Sequence, residues 1–233
     1  MTLIIAVNMG EIGLIASDKA EVMIAPNGDV LPVHQEAEKI IQTPLGVITG
    51  AGRVELLDRV KAFVESGEVG NTDQVLNAIV QAREGFRAQY AGDPQVESAL
   101  LSTSWVFNYT ALLENEETAH RIAMFHASWG EESLRILGTD QAISIGPGDF
   151  TAEESAELTR QIRKRVQMPN ADLDIRGALL ANVEVVIEAM ADVAARSPSV
   201  SKVCDIAIVG QGMPEIVSDV TPSNWATRFE FLT

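Results

Sequence analysis

The hydrophobic period of this chain alternates between strand-like and helix-like blocks, and the order of those blocks restricts the possible folds more than any single residue does. Leu3-Ile4-Ile5-Ala6-Val7, a turn from Asn8 to Gly10, and an apolar run from Ile12 to Ser17 read as an antiparallel hairpin. Residues 18–35 read as irregular, with turn chemistry at Pro26-Asn27-Gly28-Asp29 and a further break at Pro32. Lys39-Ile40-Ile41 and residues 45–49 form a second strand pair around Thr43-Pro44. From Arg53 the period becomes helical. Val54, Leu57, Val60 and Val64 share a face, Gly67 marks the stop, and a second helix runs from Thr72, as N-cap, through Val75, Ile79, Ala82 and Phe86. Strand character returns over residues 105–113, 121–127, 134–137 and 142–145. Thr151-Ala152-Glu153-Glu154 spells a capping box that opens a helix to about Val166, and residues 175–195 form another. Strands over 203–209, 215–220 and 228–231 close the chain.

Helix pairs set between blocks of antiparallel strands predict an α+β fold, a four-layer αββα sandwich with two antiparallel sheets between helix pairs. Without a linker, repeat or low-complexity run, residues 1–233 read as a single domain.

Charge narrows the function. Thirty-three acidic against 17 basic residues give a net charge of −16, which repels nucleic acid and anionic membrane alike. The basic cluster at 160–165 reads as the solvated face of a helix. Apolar runs are strand-length, too short for a membrane span, and the N-terminus lacks the basic-then-apolar pattern of a signal peptide. The expectation is a cytoplasmic protein. The lone cysteine, Cys204, excludes a disulfide framework, and its apolar strand makes it a small buried hydrophobe. His120 and His126 share a strand face but lack a third ligand, so they read as structural; Trp105, Trp129 and Trp225 read as core or interface.

Four positions carry candidate chemistry. Once Met1 is removed, Thr2 would own a free α-amine of pKa about 8 beside its hydroxyl, and such an amine is a recognised base for a threonine nucleophile. Many chains begin Met-Thr without catalytic purpose, so Thr2 needs company. Asp18 ends the strand that returns toward Thr2; it orients an amine or a lysine, or is a turn aspartate. Lys39 either stays protonated beside that carboxylate and favours developing negative charge, or loses its proton through burial and becomes a shuttle. Gly52, in Gly50-Ala51-Gly52 between a strand and a helix, allows close backbone approach and offers an N–H to an oxyanion. A dinucleotide-binding turn fails because Glu55 occupies the third glycine position.

Met1-Thr2-Leu-Ile-Ile-Ala-Val, Gly-Leu-Ile-Ala-Ser-Asp18, Glu-Lys39-Ile-Ile and Val-Ile-Thr-Gly-Ala-Gly52, in this order, resemble the proteasome-like family of N-terminal nucleophile hydrolases, in its bacterial type. The resemblance extends more weakly along the whole chain, including Cys204-Asp205-Ile-Ala-Ile. It implies an amide-bond hydrolase acting on peptides or unfolded proteins through an acyl-enzyme on Thr2, without cofactor or metal, in a homo-oligomeric ring or stack.

The pattern also departs from that family. Counting to the family's usual lysine position reaches His34, so Lys39 requires an insertion in the loop before it, and His34 is its rival. The family's accessory serine segment here reads Gly146-Pro147-Gly148, and its Asp-x-x-Ser segment maps to Ser197–Val200 without the aspartate, with Ser199 or Ser201 as shifted replacements. Ser199-Val200-Ser201-Lys202 resembles the archaeal connectase family, which implies transpeptidation as the second outcome; an inactive ring subunit is the third. Val22 and Val54 near Gly52 imply an apolar side-chain preference.

Overall fold

The computed structural model describes residues 2–24, 30–34, 36–67, 69–130 and 133–232. In chain order these form β1 (Ile4–Asn8), β2 (Ile12–Asp18), β3 (Glu21–Ile24), β4 (Val30–His34), β5 (Ile41–Thr43), β6 (Gly46–Ala51), α1 (Val54–Glu65), α2 (Thr72–Gln89), α3 (Val96–Leu101), β7 (Ser104–Leu112), β8 (Thr118–His126), β9 (Arg135–Leu137), β10 (Gln141–Ile145), α4 (Ala152–Arg165), α5 (Ile175–Ala194), β11 (Cys204–Gly210), β12 (Glu215–Val220) and α6 (Trp225–Arg228). The fold is α+β. One sheet has the order β10-β1-β2-β11-β12, another β5-β6-β7-β8-β9, and β3 with β4 make a two-stranded ribbon; all pairings are antiparallel.

The two-residue strand period explains how one sequence serves two cores. Leu3, just before β1, and Ile5 and Val7 on it pack with Leu158 and Ile162 of α4 and Val183, Val186 and Met190 of α5. The intervening Ile4 and Ala6 pack with Val47, Val106, Ile122 and Met124 of the second sheet. The other face of that sheet, Ile48, Trp105, Phe107 and Phe125, meets Leu56 and Val60 of α1 and Ile79 and Phe86 of α2. A one-residue slip in β1 would exchange the helix-facing set for the sheet-facing one, so the register with Ile145 and Ser17 is tightly specified.

Several sequence expectations are refined. The capping box at α4 forms in both directions, Glu154 N donating to Thr151 Oγ1 at 3.1 Å and Thr151 N to Glu154 Oε2 at 2.8 Å. At α2 the cap is Asn71 rather than Thr72, since Asn71 Oδ1 accepts from Gln74 N at 2.9 Å. The stretch after Asp18 holds the β3–β4 ribbon, which tolerates Pro32 because a ribbon has only edges. The Pro26–Asp29 turn lies outside the described residues, as does Met1. Helix α3 was not anticipated, although Val96, Ala99 and Leu100 carry helical spacing and are buried. The closing strand is a correction: Trp225–Arg228 form α6 and residues 230–232 a further helical turn, while Phe229 between them is fully buried in the helix-side core cluster and both its neighbours are exposed. Among the described residues no helix is long and apolar enough to cross a membrane, and no group of three or more His, Cys, Asp or Glu is placed to hold a metal.

His120 on β8 is 1 % exposed, and neither ring nitrogen has a hydrogen-bond partner among the described residues. Burial, reinforced by the Arg121 charge, lowers its pKa from 6.5 to about 4. The folded chain holds this ring neutral where the unfolded chain protonates it, so stability present above pH 6.5 is lost as pH falls toward about 4. One proton contributes at most about 1.4 kcal/mol per pH unit in that window. Denaturant unfolding at about pH 7 and about pH 5 is expected to show a smaller acid loss in His120→Leu than in the wild type. Equal losses would contradict this assignment.

Candidate active site

The hairpin β1–β2 sets the site. Its outermost rung joins Leu3 and Asp18: Asp18 N donates to Leu3 O at 3.2 Å, and Leu3 N donates to Asp18 Oδ1 at 2.9 Å. Thr2, 4 % exposed, immediately precedes that rung. Asp18 has no exposed surface and accepts three further bonds, from Ala20 N at 2.8 Å, Ser201 N at 3.2 Å and Lys39 Nζ at 3.0 Å. Lys39 Nζ also donates to Ala20 O at 2.5 Å, while Lys61 of α1 donates to the adjacent Glu38 carbonyl at 3.1 Å and fixes the approach of the chain. Burial lowers the Lys39 pKa from its ordinary 10.5, and the pull of Asp18 in the opposite direction only partly offsets it. Of the two side chains weighed from sequence, Lys39 is the one on Asp18. His34 is exposed at the end of β4, opposite Glu21. Lys39 stands two residues before β5 rather than opening it.

A second buried lysine follows directly. Lys19 Nζ contacts Asp219 Oδ1 at 2.7 Å and Asp205 Oδ1 at 3.4 Å, and Asp219 N donates to Asp205 Oδ1 at 3.0 Å. Desolvation works to lower the Lys19 pKa, but the two carboxylates outweigh it and the net direction is upward. Burial raises the Asp205 carboxyl, against the pull of the Asp219 N–H and Lys19. Asp219 sits at φ +57° where β12 bulges against β11. Thus the residue after Asp18 is anchored to the far edge of the same sheet.

The segment without an aspartate acquires a carboxylate from elsewhere. Ser197 Oγ lies 2.9 and 2.8 Å from the two oxygens of Asp149, Ser199 Oγ donates to Asp149 Oδ1 at 3.0 Å, and the two hydroxyls are 2.8 Å apart. Asp149 follows Gly146-Pro147-Gly148, so the acid comes from one segment and the hydroxyls from the other. Its partners are 48 and 50 residues away, a separation that no local pattern reveals. Ser201, two residues beyond Ser199, carries the link onward to Asp18 through its N–H.

Gly52 follows the last residue of β6, in the opposite sheet, at φ +137°. A Cβ there would lie 2.4 Å from Thr103 Cγ2, so only glycine fits. Cys204 is buried, which raises its thiol pKa and keeps it from acting as a thiolate.

Removing a partner from this network leaves a buried charge exposed to nothing that solvates it, a loss of about 3–5 kcal/mol for a buried pair. Asp18→Ala strands Lys39 and removes the acceptor of three backbone N–H groups, whereas Lys39→Met leaves those three donors with Asp18. Urea unfolding is expected to show the larger loss for Asp18→Ala; a larger loss for Lys39→Met would contradict the geometry.

No protein-family model and no curated protein matches the chain. Solved structures do match. A Gly-1 mutant of Anbu from Hyphomicrobium sp. strain MC1 is 15% identical over 96% of this chain and 90% of its own, with a TM-score of 0.59. Another Anbu structure from that strain is 12% identical over 98% and 93%, also at 0.59. Anbu (ancestral beta-subunit) from Yersinia bercovieri is 12% identical over 98% and 92%, at 0.58. At such identity the likeness is one of fold: along nearly its whole length, this chain is folded as Anbu is.

Proposed function

We propose that the chain is a proteasome-like N-terminal threonine hydrolase of amide bonds, built as one four-layer αββα domain over residues 1–233. One observation carries the reading: the buried Asp18–Lys39 pair lies on the rung next to Thr2, where a nucleophile freed by Met1 removal would stand. The partition of the apolar side chains into one cluster shared by the two sheets and one between each sheet and its helices supports the sandwich. The fold shared with Anbu along the chain supports the family.

In the reaction, Thr2 Oγ attacks the substrate carbonyl while the Thr2 α-amine takes the hydroxyl proton through a water. Negative charge develops on the carbonyl oxygen, which the Gly52 N–H receives. The intermediate collapses as the C–N bond breaks, the leaving amine accepts the proton, and an ester on Thr2 remains. Water attacks that ester, with the α-amine again as base, and restores the hydroxyl. Burial lowers the Lys39 pKa from its ordinary value, which makes the side chain a readier proton donor, and Asp18 orients it. Asp149, Ser197 and Ser199 stand in for the accessory carboxylate and hydroxyl, with their chain positions exchanged.

Substrates are peptides or unfolded proteins with an apolar residue before the scissile bond. Val54, two residues after Gly52, is 38 % exposed and supports the apolar preference. The working form is a cytoplasmic homo-oligomer, a ring or stack, whose −16 charge per subunit makes assembly salt-sensitive.

Intact mass of the purified protein is expected to lack Met1, and hydrolysis of fluorogenic peptides with apolar residues is expected to vanish in Thr2→Ala. Retained methionine with no turnover would leave a structural subunit of the same fold. Ligated product on adding a competing amine would shift the assignment to transpeptidation.

A further inference from the structure

Helix α2 carries a buried arginine whose hydrogen bonds converge on the wall behind Gly52. Arg83 is 2 % exposed and its guanidinium stands 5.5 Å over the Phe125 ring. Arg83 Nη1 donates to Leu100 O at 2.6 Å and to Thr103 Oγ1 at 2.9 Å. Thr103, fully buried, donates its own hydroxyl to Leu100 O at 2.6 Å, and its N–H reaches the same carbonyl at 3.3 Å. A carbonyl at the end of α3, which the helix leaves without an internal partner, thus receives three donors. The result is a rigid knot of α2, the end of α3 and the start of β7.

The knot abuts Gly52. Ala51 pairs with Ser104, so the next position outward sets Gly52 against Thr103. The Thr103 Cγ2 and Cα stand 2.4 and 3.2 Å from where a Gly52 Cβ would be, so the two backbones touch with no side chain between them. Gly52 holds a φ of +137°, a conformation with little intrinsic preference to sustain it. Something outside the residue must fix it, and the threonine methyl is the group in contact.

We propose that Arg83 and Thr103 are positioning residues for the Gly52 N–H: the guanidinium and the Leu100 carbonyl lock the Thr103 rotamer, and the Thr103 methyl holds the Gly52 peptide in the orientation that receives the oxyanion. This rests on the functional reading above, in which Gly52 is the oxyanion donor. A group that acts only by placing a donor affects reactions that develop an oxyanion and spares those that do not. Its loss is worth less than deletion of the donor, which costs about 10²–10³ in rate; misplacement leads us to expect about tenfold.

The test is Thr103→Ser, which keeps the hydroxyl and its two bonds but deletes the methyl, with Arg83→Lys as a second variant. Acylation of Thr2 by a β-lactone, in which the hydroxyl attacks the carbonyl and the ring C–O bond opens, should slow about tenfold. Alkylation of Thr2 by a vinyl sulfone, which forms no carbonyl oxyanion, should change less than about twofold. Equal slowing of both reagents, or no slowing of either, would overturn the proposal. A readout independent of reactivity uses ¹⁵N-glycine labelling of the 17 glycines, with Gly52 assigned by its loss in Gly52→Ala. The Gly52 amide should move more than any other glycine in Thr103→Ser, and an unmoved Gly52 would overturn the proposal. If wild-type Thr2 reacts with neither reagent, the hydrolase reading fails, and the glycine spectrum still decides whether Thr103 sets the Gly52 peptide.

Discussion

A carboxylate without solvent is the constraint on which this molecule turns. Asp18 is fully buried, and its charge is tolerated because Leu3, Ala20 and Ser201 donate backbone N–H groups to it while Lys39 supplies the counter-charge. Each donor comes from a different part of the chain: the first strand, the bend after the second, the loop before β11, and the approach to β5. One side chain therefore ties three other segments to the residue that follows Thr2. The same burial that demands these partners lowers the Lys39 pKa, so the anchoring and the lysine's weakened hold on its proton have one physical cause.

Around that centre, polar groups are fastened in successive steps. Lys19 ties the residue after Asp18 to Asp205 and Asp219 of β11 and β12. Asp149 fastens Ser197 and Ser199, whose segment delivers the Ser201 N–H to Asp18. In the opposite sheet, Arg83 is bonded to Thr103, which lies against Gly52. Buried polar networks of this kind hold position only when their members are satisfied, and most of these donors and acceptors are. A chain carrying −16 overall thus collects its buried lysines where the site needs them and leaves much of its excess acid at the surface.

What was readable in the sequence follows from interaction range. The hairpin of β1 and β2, the four longest helices and the α4 capping box rest on periodicity and on contacts within a few residues, so the chain displays them directly. Asp18 was legible because a tight hairpin returns it to the start of the strand. Lys39 needed the resemblance, since counting alone favoured His34, and only the folded chain puts one on Asp18 and the other at an exposed strand end. The helical C-terminus reads as a strand because one buried aromatic between exposed neighbours mimics alternation, and a four-residue helix is too short to display a helical period. Asp149 and Arg83 were invisible. Their partners lie 17 to 50 residues away, and nothing near an aspartate or arginine in sequence announces such a contact.

The central claim is that the residue after Met1 is the nucleophile. Peptide mapping of the protein after exposure to a β-lactone tests it most directly, because fragmentation locates the acyl group to one residue and its loss to water or hydroxylamine marks an ester. The account predicts a single adduct, an ester on Thr2 at a mature N-terminus, displaced over time by water. Modification at Lys39, at Cys204 or nowhere, with Thr2 unmodified, would contradict it.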